Sequence, residues 1–341
     1  MKFRKFYMLT LLVAILSASK ASAAEEFFKG KSIRIVVGFS AGGGFDTYAR
    51  AIARHMSKHI PGNPGIVVEN MTGAGSLIAA NHVYKVAKPD GLTIGHFIGG
   101  FFLGQVLGQP GIEFDARKFE FIGAPVSDHV VCALTKASGI TSIEKWMAAK
   151  IPVKMGGLAP GTSTPDNATR ILKAALGLPI QLVTGYKGTA DVRLAADSGE
   201  LAGGCWGWDS ISVTWRKALD SGDVAIILQA NRKNHPDLPN VPQAIKLAKS
   251  DESRRMIEVG IHGDSDIVRT YTLPPGTPKD RLQILRKAFE ATLKDAEFAA
   301  DAKKARLNID PISPDEIEKD IAGLFKLDPA LLTKLKDVLY N

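Results

Sequence analysis

Four stretches of this 341-residue chain place glycines and small residues where a β-branched run gives way to a helical pattern. The first follows Phe39 and reads Ser40-Ala41-Gly42-Gly43-Gly44-Phe45-Asp46. The second is Gly73-Ala74-Gly75-Ser76, the third Gly161-Thr162-Ser163-Thr164, and the fourth Gly185-Tyr186-Lys187-Gly188-Thr189. Glycine lets the backbone turn tightly and leaves its N–H groups open to a ligand. The first N–H groups of a helix have no partner inside the helix and carry the positive end of its dipole. Such a place suits an anion. Any one of these loops alone reads as an ordinary turn. Four of them, shared between the two halves of the chain, read as the walls of a binding cleft. The chemistry is therefore capture of a small anion. The phosphate loop GxxxxGK[ST] is absent, and the dinucleotide fingerprint fails because Ile78, not Gly or Ala, is the sixth position counted from Gly73.

The side chains in and beside these loops refine that reading. Asp46 either meets a ligand hydroxyl, amine or water, or stabilises the start of the helix that follows it. Lys187 is placed to pair with a carboxylate. Phe39, Phe45, Trp206 and Trp208 flank the loops, as cleft walls for an apolar body or as core. Signals for bond-making chemistry are missing. The seven histidines form no HExxH, no Gly-x-Ser-x-Gly elbow occurs, and no Cys/His set has zinc spacing. No catalytic residue, metal or cofactor is expected.

The elements that must position the loops follow one grammar. Ser32–Phe39, Gly65–Glu69 and Leu92–Phe97 read as strands, each followed by a loop or helix. Tyr48, Ile52, Met56 and Ile60 recur at helical spacing before the Pro61-Gly62 stop. Val130–Thr135, Val153–Gly157, Ile180–Val183, Leu201–Trp208 and Val224–Gln229 continue the alternation. Val268–Leu273 reads as a last strand. Helix starts are expected at Thr141-Ser-Ile-Glu144, Thr164-Pro165, Thr277-Pro278 and Ser313-Pro-Asp-Glu316. Strand–helix alternation of this kind builds parallel sheets covered by helices, and ligands gather at the carboxyl ends of such strands.

Residues 1–7 carry three positive charges, Met8–Ala18 is almost wholly apolar, and Ala21-Ser22-Ala23 is a small-x-small pattern. This is the order of a secretory signal, residues 1–23, cleaved after Ala23. The mature protein is expected outside the cytoplasm. Removing Lys2, Arg4, Lys5 and Lys20 takes away half of the +8 formal charge. The remaining basic residues are interleaved with acids, so no nucleic-acid partner is expected. The two cysteines, Cys132 and Cys205, lie in expected strands in a compartment that permits a disulfide. Their pairing stays open at this level.

Several motifs, taken in order, resemble one family. Ile33–Arg50 (IRIVVGFSAGGGFDTYAR) is similar to the opening of the tripartite tricarboxylate transporter substrate-binding (Bug-type) receptors. Val68–Gly75 resembles the family's VEN-x-x-GAG loop, Pro89-Asp-Gly91 its PDG turn and Tyr186-Lys-Gly188 its YKG. Leu238–Pro242 resembles its LPDVP, and Pro275–Pro278 its GTP helix start. The resemblance runs from about residue 30 to the C-terminus. It implies an α/β, two-lobed periplasmic-binding-protein-like fold (type II, Venus flytrap), each lobe a mostly parallel sheet flanked by helices. The lobes expected are residues 24–125 plus 246–341, and residues 126–245.

The resemblance also implies a receptor without catalysis. It captures a small organic carboxylate between the lobes and delivers it to the permease subunits of a tripartite tricarboxylate-type transporter, working as a monomer. A ligand sensor for a two-component system and a secreted enzyme on the same fold are the alternatives. Carried over by motif, Ser40, Ala41, Gly42, Gly43, Gly44, Phe45 and Asp46 contact the ligand from one lobe. Gly161, Thr162, Ser163, Thr164, Lys187, Gly188 and Thr189 do so from the other, largely through backbone amides and water. Phe39, Gly75, Ser76 and Trp206 complete the candidate set. Three departures bear on the ligand. Phe45 replaces the usual Thr, Trp206 replaces a second Asp, and Asp166-Asn167 replaces a His-Leu pair. They add aromatic surface, which points to a carboxylate with a bulky apolar or aromatic body.

Overall fold

Two five-stranded sheets are built from ten strands in the computed structural model, which describes residues 26–159 and 164–340. The expected signal at 1–23 and the loop residues Gly161, Thr162 and Ser163 lie outside the described residues. The first sheet contains β1 (Ser32–Val37), β2 (Gly65–Asn70), β3 (Thr93–His96), β4 (Glu120–Gly123) and β10 (Tyr271–Leu273). The second contains β5 (Val130–Thr135), β6 (Val153–Gly156), β7 (Ile180–Val183), β8 (Gly203–Gly207) and β9 (Val224–Gln229).

The two sheets share one plan. Their orders are β2-β1-β3-β10-β4 and β7-β6-β8-β5-β9. β1 runs parallel to β2 and β3, whereas β10 is antiparallel to β3 and β4. β6 runs parallel to β7 and β8, whereas β5 is antiparallel to β8 and β9. Each sheet is thus mostly parallel with one reversed strand next to its last. In β1 the residues Ile33, Ile35, Val36 and Val37 are all buried, as a central strand covered on both faces requires. The chain crosses from the first lobe to the second after β4 and returns before β10.

Three expected boundaries move. The strand expected over Val268–Leu273 pairs only from Tyr271. Upstream of it, residues up to Thr270 run between the lobes, where Gly99 N–H donates to Val268 O and Asp128 N–H to Ser265 O. The cap expected at Thr141 falls on Ser142, whose side chain accepts from Lys145 N–H. Thr277 does not cap its helix. Its hydroxyl donates to Pro274 O, and the helix begins at Lys279. β4 has no counterpart in the pattern. The box at Ser313 forms as expected, with Pro314 at the first helical position.

Helix Gly44–Met56 buries Tyr48, Ile52 and Met56 against the first sheet's core. Helices Asp251–Ile257 and Pro329–Tyr340 pack on helix Thr164–Leu176. There Gly260 lies against Ile171 and Leu335, so close that a Cβ would sit 2.4 Å from Ile171 Cδ1. Cys132 and Cys205 stand directly opposite each other on β5 and β8, and they form a disulfide. Among the described residues no helix is long and apolar enough to cross a membrane.

Candidate functional site

The loop after β1 is shaped by close approaches that only glycine permits. At Gly38 a Cβ would stand 2.2 Å from Ser76 Cβ, so the second Gly-rich turn packs directly under the end of the first strand. Ser76 is buried there and its Oγ accepts from Ile98 N–H. Gly42 turns the chain with φ near 78°, in the left-handed region. The Asp46 carboxylate then ties the loop together. It accepts from Gly42 N–H at 2.9 Å, Arg50 Nε at 2.9 Å and Asn70 Nδ2 at 3.0 Å. Burial pushes its pKa up. The bonds from Arg50, Gly42 and Asn70 outweigh burial and hold the group below the ordinary range. Of the two readings open for Asp46, this geometry favours organising the loop and helix start.

The loops of the two lobes touch. Ser40 Oγ donates to Asp191 Oδ2 at 2.8 Å, and Ser40 N–H donates to Lys187 O at 3.3 Å. A Cβ on Gly188 would meet Ser40 Oγ at 2.3 Å. A Cβ on Gly44 would meet Ser210 Oγ at 1.9 Å, so helix Gly44–Met56 and helix Trp208–Thr214 abut at bare backbone. The cleft is closed in this arrangement.

Between the lobes lies a cavity of about 20 Å³. Phe39, Gly43, Gly44, Phe45 and Ile98 line it from the first lobe. Leu158, Pro165, Thr189, Trp206 and Gly207 line it from the second, with Asp128, Ser210 and Arg269. Of the candidate residues, Phe39, Gly43, Gly44, Phe45, Thr189 and Trp206 therefore converge. Ser40, Lys187 and Gly188 make the contact between loops beside the cavity. Ala41 and Gly42 are exposed, and Gly75 and Ser76 support β1 without lining the cavity. Thr164 opens its helix next to the lining residue Pro165. Trp208 faces a different depression, with Ala302 and Leu307.

Sequence reasoning missed Asp128, Ser210 and Arg269. Arg269 is 1% exposed. Its Nε donates to Asp128 Oδ1 at 3.1 Å and its Nη2 to Ser210 Oγ at 2.8 Å. The guanidinium lies 4.8 Å from the Phe45 ring centre and 5.1 Å from that of Tyr48. A signal for it was present: one charge inside the apolar run Ile267–Leu273. Asp209, in the next turn of the same buried cluster, is pushed up to about 6 by burial, against the pull of Arg269. His96 packs 4.7 Å from Phe45 and 4.1 Å from Tyr271, centre to centre. Burial drives its pKa down to about 3. It is neutral at physiological pH, with Nδ1–H donated to Thr270 O, an acceptor only.

One group on the surface has the reach of a metal site, His55, Asp295 and Glu297. Lys58 Nζ pairs with both carboxylates, at 2.8 and 2.6 Å, and so fills it with a cation of the chain's own.

Comparison with known proteins agrees with this architecture. The family described as "Tripartite tricarboxylate transporter family receptor" matches residues 48–322. A UPF0065 protein in the gbd 5′ region of Cupriavidus necator is 40% identical over 330 residues, 94% of this chain and 92% of that protein. The periplasmic binding protein BugD superposes with a TM-score of 0.71 at 23% identity, over 91% of this chain and 98% of its own. MatC from Rhodopseudomonas palustris, solved with bound malate, superposes with a TM-score of 0.70 at 21% identity, over 92% of this chain and 100% of its own. At those identities the two structures bear on the fold, which is the two-lobed fold of periplasmic binding proteins.

Proposed function

The chain belongs to the tripartite tricarboxylate transporter receptor family, and from that premise we propose that it is a periplasmic receptor for a small organic carboxylate. One observation carries this reading. The loops Ser40–Asp46 and Lys187–Thr189, from opposite lobes, meet beside a cavity that Gly43, Gly44, Phe45 and Thr189 help to line. Backbone N–H groups at the start of helix Gly44–Met56 have no side-chain cap, so they are available to an anion. The ligand enters an open cleft, and closure of the lobes about their crossing segments seals it in. The signal at 1–23 directs export, and the closed monomer hands its ligand to the permease subunits of a tripartite tricarboxylate-type transporter. Lobe 1 comprises residues 24–125 with 246–341, and lobe 2 residues 126–245. Helices Asp251–Ile257 and Pro329–Tyr340 reach across onto the second lobe. No step of catalysis is assigned.

The chemistry of the ligand follows from the lining. MatC was solved with malate, a small polar diacid. Here Phe39, Phe45, Ile98, Leu158 and Trp206 surround the cavity, so the body of the ligand is apolar or aromatic. Mass spectrometry of ligand released from freshly purified protein tests the class directly. A thermal-shift panel of aromatic acids against tricarboxylates tests the body. Stoichiometric binding of an acid without product is the expected result. A shift with tricarboxylates and none with aromatic acids would overturn the assignment of the body, and turnover of the bound acid would overturn the receptor reading.

A further inference from the structure

Two buried donors on residues that line the interlobe cavity have no acceptor among the described residues. They are Arg269 Nη1 and the Trp206 indole Nε1, and both residues line the cavity. Arg269 is 1% exposed and Trp206 is 2% exposed. A buried N–H without a partner costs the full desolvation of the group, most of all on a guanidinium. Neither side chain can accept a hydrogen bond, so they cannot satisfy each other. Both are held firmly. Asp128 and Ser210 fix the other two nitrogens of Arg269, and Trp206 is stacked on Trp215 at 5.5 Å. What the site lacks is an acceptor able to take two N–H groups, one of them charged.

A carboxylate meets that need, since each of its oxygens can accept one of the two donors. Resting on the receptor reading above, we propose that Arg269 is the charged anchor of the ligand, with one carboxylate accepting from Arg269 Nη1 and Trp206 Nε1. The mode differs from capture by backbone amides and water alone, which the family resemblance implies. It also gives Phe45 a second purpose. The Phe45 ring stands against the guanidinium at 4.8 Å and shields the ion pair from water, which strengthens it. Among the described lining residues Arg269 is the one cation, so the site offers a charged partner to one carboxylate. The favoured ligand is therefore a monocarboxylate whose apolar body displaces the walls on entry. The anchor touches both lobes, through Phe45 and Tyr48 on one side and Asp128 and Ser210 on the other, so a bound carboxylate would favour closure.

Calorimetric titration of the full-length mature protein with benzoate, benzamide and malate tests the anchor. The variants are Arg269→Lys, which keeps charge without the fork, and Trp206→Phe, which keeps the stacked ring without the N–H. Benzoate is expected to bind one-to-one and benzamide at least about 10-fold more weakly, the loss of a charge-assisted hydrogen bond. Trp206→Phe should weaken benzoate about 5-fold or more, and Arg269→Lys about 10-fold or more. A parallel readout does not depend on Arg269→Lys folding: the Trp206 indole N–H resonance of the wild-type protein, assigned by its loss in Trp206→Phe, should shift on saturation with benzoate. If benzoate binds but an unmoved indole resonance accompanies unchanged affinity in Trp206→Phe, the anchor is refuted and the receptor reading stands. If malate binds and benzoate does not, the monocarboxylate assignment is refuted while carboxylate capture survives. If neither acid binds, the anchor is refuted, while the receptor reading is decided separately by mass spectrometry of ligand released from freshly purified protein.

Discussion

Ser40 and Asp191, 151 positions apart in the chain, are joined across the cleft by a 2.8 Å hydrogen bond from hydroxyl to carboxylate. It is a latch. It links the loop after β1 to the helix that follows the fourth Gly-rich loop, and it lies beside the cavity between the two lobes. A bond to a charged acceptor is worth on the order of 1.5–3 kcal/mol when shielded. This one is partly exposed, so about 1 kcal/mol is the better expectation.

Ser40→Ala should therefore shift the balance of closed and open forms about 5-fold towards open, without loss of either lobe's fold. Small-angle scattering of the ligand-free protein, or fluorescence transfer between labels on the two lobes, reads that shift. Asp191→Asn should shift it in the same direction, by less. An unaltered distribution in both variants would show that closure rests on the backbone contacts alone.

Asp46→Ala is expected to lower unfolding stability by about 1–3 kcal/mol at pH 7, because Gly42 N–H, Arg50 and Asn70 all lose their acceptor. Its carboxyl is held below the ordinary range. A depressed acid stabilises the fold above its unfolded value near 3.8, and that contribution disappears as pH falls through the folded value. Urea titrations of wild type and variant should therefore differ at pH 7 and converge in strong acid. Ligand affinity should fall as well, since the loop that Asp46 shapes forms one wall of the cavity.

Asp209 predicts the opposite sign. Burial raises it from 3.8 to about 6. Its contribution to stability is fully present below the unfolded value and is lost as pH rises from 3.8 through about 6. Asp209→Asn should then be more stable than wild type above pH 6, by up to about 3 kcal/mol, with the difference vanishing near pH 4. The difference between the two proteins is the useful quantity, because buried His96 and His262 lose stability over an overlapping acid range. Their folded values, about 3 and about 4, lie below the ordinary 6.5, so their contribution fades as pH drops. A difference curve that is flat with pH would refute the assignment.

The Cys132–Cys205 disulfide closes a loop of 73 residues across β5 and β8. Replacing both cysteines by serine should cost about 4 kcal/mol by the chain-entropy argument. The unfolded wild-type protein should show no free thiol before reduction and two equivalents after it. Recovery of two thiols without reductant would contradict the pairing.

Much of the fold was legible because its signals are local. Runs such as Ile33–Val37 and Val130–Leu134 carry buried β-branched residues, and the Gly-rich loops after β1, β2 and β7 lie where the pattern put them. Tyr48, Ile52, Met56 and Ile60 are all buried as their spacing required. The aromatic departures at Phe45 and Trp206 likewise pointed to an apolar cavity, and both residues line it. Other features were not legible. β4 has no legible pattern, although β3, β6 and β7 are just as short. The Thr141 and Thr277 caps moved because the local motif does not say which residue leaves the helix first.

The sequence by itself determined the order of strands and helices, the placing of bare backbone at strand ends and the apolar character of the residues around them. These depend on neighbours within one or two turns of the chain. Only the tertiary structure decided what those pieces do together. It directed the Asp46 carboxylate to its own loop, set Cys132 opposite Cys205 through antiparallel register, and carried Arg269 out of the sheet into the passage between lobes. There the charge meets Phe45, Asp128 and Ser210, residues brought from distant parts of the chain. Periodicity reports which face of an element is buried. The identity of the facing partner depends on how two sheets are joined and closed, and local sequence holds no record of that.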